Sequence, residues 1–408
     1  MIFQRHISGN VAARLLSTLF NFLIVLMVSR SLGPTLKGET TLIITAIFII
    51  TFCANLVGGY ALVNVIHRNK ADTVLAPSYL WSIAVFAFSF IAIKFIRSEI
   101  QEYALHVSLL ALINSITGAH QVVLMSRSKY HKHNILVFAP VILNFIFLAS
   151  SFYIFNQKNI HSFFASMYFA SSLTLLLSLY FIRNLPDAKR FNFSIQNFKT
   201  VISSGIRYQA AELLQLLHLR LYFFLLTSHS ENGLYNLGVY SVGISILEAI
   251  WIVSRGVATM NYAATVKSPS ASFTLKYLRI TLLISAVGLL AIFAIPTSWY
   301  AYIFGSGFTY VKYSVKYLFP GIGLYCFVLV LGSYMLGIEK YSTMIAIHIV
   351  GIAVSSGLCI AWIPEYEMSG AGLAATVSFA IAALLSIIAF ISETKVGVAE
   401  IIGLKSAV

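Results

Sequence analysis

Residues 183–199 read RNLPDAKRFNFSIQNFK, the longest polar stretch in the chain. It carries Arg183, Lys189, Arg190 and Lys199 against the single acid Asp187, and Pro186 breaks any helix running through it. On either side the sequence turns apolar in runs of about 20 residues, the length that crosses a hydrocarbon layer of about 30 Å. Upstream the runs lie near 11–31, 40–64, 77–96, 104–126, 134–156 and 161–183. Downstream they lie near 200–227, 234–258, 274–297, 312–337, 342–363 and 369–391. They are too long for barrel strands and lack apolar–polar alternation. The sequence therefore predicts an all-α polytopic membrane protein with about 12 transmembrane helices. Its organisation reads as a six-helix half over 1–185, a linker over 186–199, a second half over 200–395 and a tail over 396–408.

Composition agrees. Of 408 residues, 59% are hydrophobic and only 10% charged, and the mean hydropathy is +0.87. Soluble domains run at about 45–50% apolar and about 25% charged, so a soluble enzyme with one anchor and a disordered chain are both excluded. The net charge of +14 comes from 27 Lys and Arg against 13 Asp and Glu. With the N-terminus cytoplasmic, 15 of the basic residues fall in inside loops and 7 in outside connections. That bias is the positive-inside pattern and not a nucleic-acid surface, and it puts both termini on the cytoplasmic side. Cys53, Cys326 and Cys359 lie inside apolar runs without metal or disulfide spacing. The basic start MIFQRHISGNVAARLL lacks a cleavage site of the signal-peptide kind and reads as the opening of the first span.

The halves echo each other. Span 1 exits through SRSLGPTLKGETTLIIT (29–45) and span 7 through TSHSENGLYNLGVYSVGIS (227–245), with Gly38 and Gly238 opening the next helix. Span 4 exits through SRSKYHKHNI (126–135) and span 10 through GIEKYSTMIAI (337–347), sharing Lys129-Tyr130 and Lys340-Tyr341. Equivalent helices on the same membrane side imply a parallel, pseudo-symmetric repeat.

Four segments carry a family resemblance: SRSLGPTLKGET (29–40), ANLVGGYALVN (54–64), NGLYNLGVYSVGISILEAIW (232–251) and IPEYEMSGAGLAATVSF (363–379). In order and spacing they resemble the polysaccharide transporter family, and more narrowly Wzx-type O-antigen flippases of the multidrug/oligosaccharidyl-lipid/polysaccharide (MOP) exporter superfamily. The resemblance implies two six-helix lobes around a central cavity open to one side at a time. It implies a cargo, a polyprenyl-diphosphate-linked oligosaccharide repeat unit moved across the bacterial inner membrane to the periplasmic leaflet. Membrane lipid, an O-antigen polymerase and a chain-length regulator are the partners it implies; no cofactor is expected. One departure stands out: such proteins often carry an acid just after the arginine of span 7, where this chain reads HLRLYFFLL with Tyr222.

Charges inside spans are costly and mark cavities or partners. Seven fall there: Arg14, Arg207, Arg220, Arg255, Arg279, Glu212 and Glu248, with a sum of +3. A cationic lining suits a diphosphate, because guanidinium offers a planar fork of donors to phosphate oxygens. Arg14, Asn21, Arg207, Arg220 and Arg255 are the candidate cargo-binding residues, with Asn21 seven after Arg14 and so on its face. Asn21 equally fits an interhelical hydrogen bond, and Arg279 fits snorkelling to the interface. Glu212, Glu248 and His218 are the candidates for ion coupling, and His348 is a further titratable group. Glu248 and Arg255, seven apart, share a face on a continuous helix, with Ser241 and Ser245 near it. The competing reading is a buried Glu–Arg network that fixes spans 7 and 8 together. Pro296, Pro320 and Gly321 are expected kink points in spans 9 and 10.

No phosphate-binding GxxxxGK[ST] loop, HExxH or G-x-S-x-G occurs. The alternatives are a multidrug cation antiporter of the same fold and a membrane-embedded O-antigen polymerase or ligase. The enzyme would need a long outer loop for its active site, and the outside connections here are short.

Overall fold

The computed structural model describes residues 2–57, 59, 71–96, 99–185 and 195–401. The basic positions Arg68, Lys70, Arg97, Lys189, Arg190 and Lys405 lie outside them, as do the end of the 40–64 span, linker residues 186–194 and tail residues 402–408. Helix is continuous over Ile2–Ala54 except at Gly33, where φ is 76° and ψ 178°. A positive φ suits glycine, and Pro34 then restarts the helix without needing an N–H partner. Two helices result, α1 (2–32) and α2 (34–54). Then follow α3 (Asp72–Phe95), α4 (Ala104–Ser126), α5 (Tyr130–Ala149, continued by a π turn over Ser150–Ile154) and α6 (Ile160–Arg183). The second set is α7 (Ile195–His229), α8 (Gly233–Glu248), α9 (Trp251–Lys267), α10 (Ala271–Phe293), the short α11 (Thr297–Phe304) and α12 (Val311–Gly337). The final run, Tyr341–Thr394, is broken at Glu367 (φ 52°, ψ −129°) into α13 (341–366) and α14 (368–394), before α15 (Val398–Ile401).

Among the described residues, nine helical runs are long and apolar enough to cross a membrane, and α8 and α9 make a tenth across a 52° bend. Two of the nine are the runs broken at Gly33 and Glu367, each holding two spans. All twelve predicted spans are therefore present. Span 8 differs from expectation: at Ala249 and Ile250 the chain turns through i→i−3 bonds, Ile250 N–H to Leu247 O and Ile252 N–H to Ala249 O. This tightening bends the helix with no Gly or Pro to announce it. The proline in span 10 does not break its helix, since α12 runs through Pro320, whereas Pro296 stands at the N-cap of α11.

The chain divides into two compact units, one of Met1–Leu32 with Glu39–Leu213, the other of Gly33–Gly38 with Leu214–Val408. The expected linker at 186–199 lies in part outside the described residues. Residues from Ile195 are already helical, and the division falls inside α7, whose two ends belong to different units. Segment 33–38 also leaves the first unit for the second. There a β-carbon on Gly38 would overlap the Leu234 carbonyl, and one on Gly238 would overlap the Pro34 carbonyl. The two glycines paired by the repeat thus pack backbone to backbone.

In the first unit an apolar cluster joins α3, α4, α5 and α6 through Val74, Leu75, Val122, Val123, Leu136 and Phe181. Buried hydroxyls are spent locally: Ser78 donates to Val57 O (2.9 Å) and Ser89 to Ser108 Oγ (3.0 Å). His120, fully buried on α4, has both ring nitrogens engaged, with Tyr79 at 2.5 Å and Ser178 at 2.7 Å. In the second unit α12 is the central helix, with Leu318, Tyr325, Val328 and Leu331 buried. Asn261 on α9 donates to Val330 O (3.2 Å) and Ser333 Oγ (3.0 Å) and accepts from Thr274 of α10 (2.9 Å). Such satisfied networks are what an apolar surrounding demands of buried polar groups.

The repeat is visible in backbone geometry. After α4, Ser128 takes φ 55° and Lys129 N–H closes on Leu124 O at 2.8 Å; after α12, Glu339 takes φ 63° and Lys340 N–H closes on Met335 O at 2.9 Å. Each is a Schellman-type stop followed at once by the next helix. Outward, α10 exposes Ile280, Leu283, Ile284, Val287 and Leu290 along one stripe, and Phe88 and Phe95 of α3 are 74% and 84% exposed. Stripes of this kind suit acyl chains and would be an aggregation hazard in water.

Candidate functional site

The charged and titratable residues that the structure brings together lie in the second unit, around α7. Along that helix His218 and Tyr222, four apart, share a face, while Arg220 points elsewhere. Arg220 meets Glu248, the last residue of α8, through two parallel bonds: Nη1 to Oε1 at 2.6 Å and Nη2 to Oε2 at 2.7 Å. The pair is 18% and 16% exposed. The guanidinium also stands 5.3 Å from the Phe223 ring centroid. A bidentate geometry fixes both side chains, and it ties α7 to α8 immediately before the bend.

This arrangement accounts for the departure at Tyr222. Tyr222 is 1% exposed and packs edge-on against Tyr240 of α8, ring centroids 5.8 Å apart. The carboxylate that meets Arg220 comes from Glu248 of the next helix, and position 222 holds a buried aromatic.

His218 and His348, 130 residues apart in sequence, face each other with Nδ1 atoms 3.5 Å apart. His218 Nε2 lies 2.7 Å from Ser378 Oγ of α14, and Ser378 donates to Gly351 O of α13 at 2.7 Å. The His218 ring rests directly on Gly351, where a β-carbon would overlap it. Tyr325 and Phe379 close the aromatic wall, with ring centroids 5.8 and 5.4 Å from that of His218.

The remaining candidates do not join these two groups. Arg255 is exposed on α9, its guanidinium 5.6 Å from the Trp251 ring centroid. The chain bends between Glu248 and Trp251, yet Arg255 stays within electrostatic range of the Glu248 carboxylate. The two serines bond back to Gly238 O (2.9 Å) and Ser241 O (2.8 Å). Asn21 and Arg207 are exposed and Glu212 is half-buried, all three in the first unit. Arg14 lies on α1, with its side chain outside the described residues. Arg279 donates through Nη2 to the Glu400 carbonyl, which fits a cation at the membrane edge. Sequence reasoning named both histidines but neither their pairing nor Ser378. Contacts across 130 and 160 residues leave no local signal.

No protein-family model and no curated protein matches the chain. Solved structures do. An inward-facing multidrug resistance MATE family transporter of the MOP superfamily superposes with a TM-score of 0.71 at 14% identity, over 92% of this chain and 94% of that one. The chain shares the fold of that transporter. An outward-facing MATE transporter gives a TM-score of 0.64 at 15% identity, over 95% and 94% of the two chains. A MOP superfamily transporter from Pyrococcus furiosus, described by the reverse polarity of its binding pocket, gives 0.66 at 16% over 95% and 94%. At this identity the likeness is one of MOP fold.

Proposed function

We propose that the chain is a flippase, not an enzyme, which moves polyprenyl-diphosphate-linked polysaccharide repeat units, of the O-antigen kind, from the cytoplasmic to the periplasmic leaflet of a bacterial inner membrane by alternating access. The observation that carries this reading is the sign of the charge left over at membrane depth in the second unit. Arg220 and Glu248 cancel each other, Arg279 donates to a backbone carbonyl, and Arg255 stands exposed over Trp251. A carbonyl bond leaves Arg279 charged, so the excess is positive and carried by guanidinium groups, which recognise diphosphate oxygens and repel a cationic drug. In the first unit, exposed Arg207 and Asn21 supply a second cation and a hydroxyl-binding amide.

Arg220 takes a changed role in this reading. Held by two bonds to Glu248, it is a structural anchor, and Arg255 and Arg207 are the cargo cations. The multidrug antiporter is the second reading, favoured by the likeness to multidrug resistance MATE transporters. That the same fold includes a transporter described by reversed pocket polarity supports a cargo of different charge.

Purified protein in proteoliposomes separates the two. With a fluorescent polyprenyl-diphosphate saccharide and a fluorescent organic cation as rival cargos, the diphosphate lipid should cross. Arg255→Glu should slow it at least tenfold, while Arg255→Lys keeps part of the rate. Transport of the cation, with no movement of the lipid, would replace this reading by the multidrug one.

A further inference from the structure

We infer that His218 and His348 form a one-proton binding site inside the C-terminal unit. Its use in driving transport rests on the reading of the chain as a transporter; the site itself does not.

The hydrogen bonds fix where protons stand. The Ser378 hydroxyl has one hydrogen and gives it to Gly351 O, 2.7 Å away. At 2.7 Å from His218 Nε2, Ser378 Oγ is therefore the acceptor, and Nε2 carries a hydrogen. In a neutral ring Nδ1 of His218 is then a bare lone pair, aimed at His348 Nδ1, which must bring the hydrogen across the 3.5 Å gap. The result is a directed chain, His348 to His218 to Ser378 to Gly351 O, linking α13, α7 and α14. One ring nitrogen is left over: His348 Nε2 has no hydrogen-bond partner among the described residues, although the side chain is 1% exposed. A proton can be added there without breaking any bond of the chain, and the charge is then spread towards His218 through the shared Nδ1–H. A second proton would set N–H against N–H. The capacity is one.

Among the described residues, those that line the pair carry no charge. Ser378 and Phe379 face the pair from α14, Tyr325 from α12 and the Gly351 backbone from α13; Trp251 of α9 lies behind Tyr325, ring centroids 5.0 Å apart. No carboxylate or cation among the described residues bonds to either ring. His120 in the first unit is the contrast. With Tyr79 on one nitrogen and Ser178 on the other, it has no free position.

The test is proton uptake by the purified full-length protein in detergent as the medium moves from about pH 8 to about pH 5. Wild type should take up about one proton more per chain than His348→Gln, and His218→Gln should also lose it. Imidazole nitrogen NMR of wild type needs no variant. It should show one histidine whose Nε2 gains a proton in this window while its Nδ1 neighbour stays hydrogen-bonded. Equal uptake by wild type and His348→Gln, or an Nε2 that stays bare down to about pH 5, overturns the site. In proteoliposomes an imposed pH gradient should accelerate wild-type transport severalfold and leave His348→Gln unaffected. A wild type that takes up the proton but moves no diphosphate lipid would refute the cargo reading and not the site.

Discussion

Replacing Glu248 by Leu leaves the Arg220 guanidinium at 18% exposure with its two strongest bonds gone. Opposite charges about 4 Å apart attract by about 4 kcal/mol at an effective dielectric of about 20. Removal of one partner from buried pairs costs about 3–5 kcal/mol. Since the pair keeps some access to water, the lower end applies, so Glu248→Leu should cost about 3 kcal/mol, and Arg220→Met a similar amount. Replacing both with apolar side chains of similar volume leaves no stranded charge, and Arg220→Met/Glu248→Leu should return to within about 1 kcal/mol of wild type. Reversible unfolding of the full chain in mixed micelles, followed across the four proteins, measures the coupling as a double-mutant cycle. The expected interaction energy is at least about 2 kcal/mol. If the double variant loses the sum of the two singles, or either single costs less than about 0.5 kcal/mol, the pair does not hold α7 to α8 as argued.

Four other substitutions probe the fold. Gly38→Ala and Gly238→Ala each drive a methyl group into a backbone carbonyl of the facing segment. Each should cost at least about 1–3 kcal/mol in the same unfolding assay. Gly33→Ala has open space around it, but φ 76° with ψ 178° is a region almost reserved for glycine, so backbone strain alone should cost about 1–3 kcal/mol; an unchanged stability would contradict that reading. Tyr79→Phe strips the 2.5 Å partner from buried His120 Nε2 and should destabilise the protein by about 1–3 kcal/mol. An unchanged melting point would mean that His120 finds another donor.

The membrane made most of the fold legible. A span must be about 20 apolar residues whatever it packs against, so α4 was read to the residue at 104–126 and α12 to within one at 311–337. The repeated Lys-Tyr pair pointed to equivalent turns, and Ser128 and Glu339 adopt the same left-handed stop before Lys129 and Lys340. Breaks were readable only where chemistry forces them. Gly33-Pro34 lies in a stretch that the sequence singled out, whereas Ala249-Ile250 carries no breaker, and Glu367 is held by Ser230 of the α7–α8 connection and Asn236 of α8, both donating to its carboxylate. The polar linker concealed the true division because α7 starts within it and continues across both units. At the candidate site a Glu–Arg network between spans 7 and 8 was among the readings the sequence offered, and Arg220 with Glu248 forms such a pair. His218 reads as a lone histidine until α13 and α14 bring His348 and Ser378.

The central claim is that this chain carries lipid-linked saccharide units across the membrane. Its most direct test is the sidedness of those units in cells from which the protein has been removed. Intact spheroplasts are treated with a membrane-impermeant sugar-oxidising label, and the polyprenyl-diphosphate fraction is then extracted. The account predicts that single repeat units accumulate and stay unlabelled, held on the cytoplasmic leaflet. Accumulated units that take up the label have already crossed, and would assign this chain to a later polymerising or ligating step; no accumulation at all would contradict a role with this cargo.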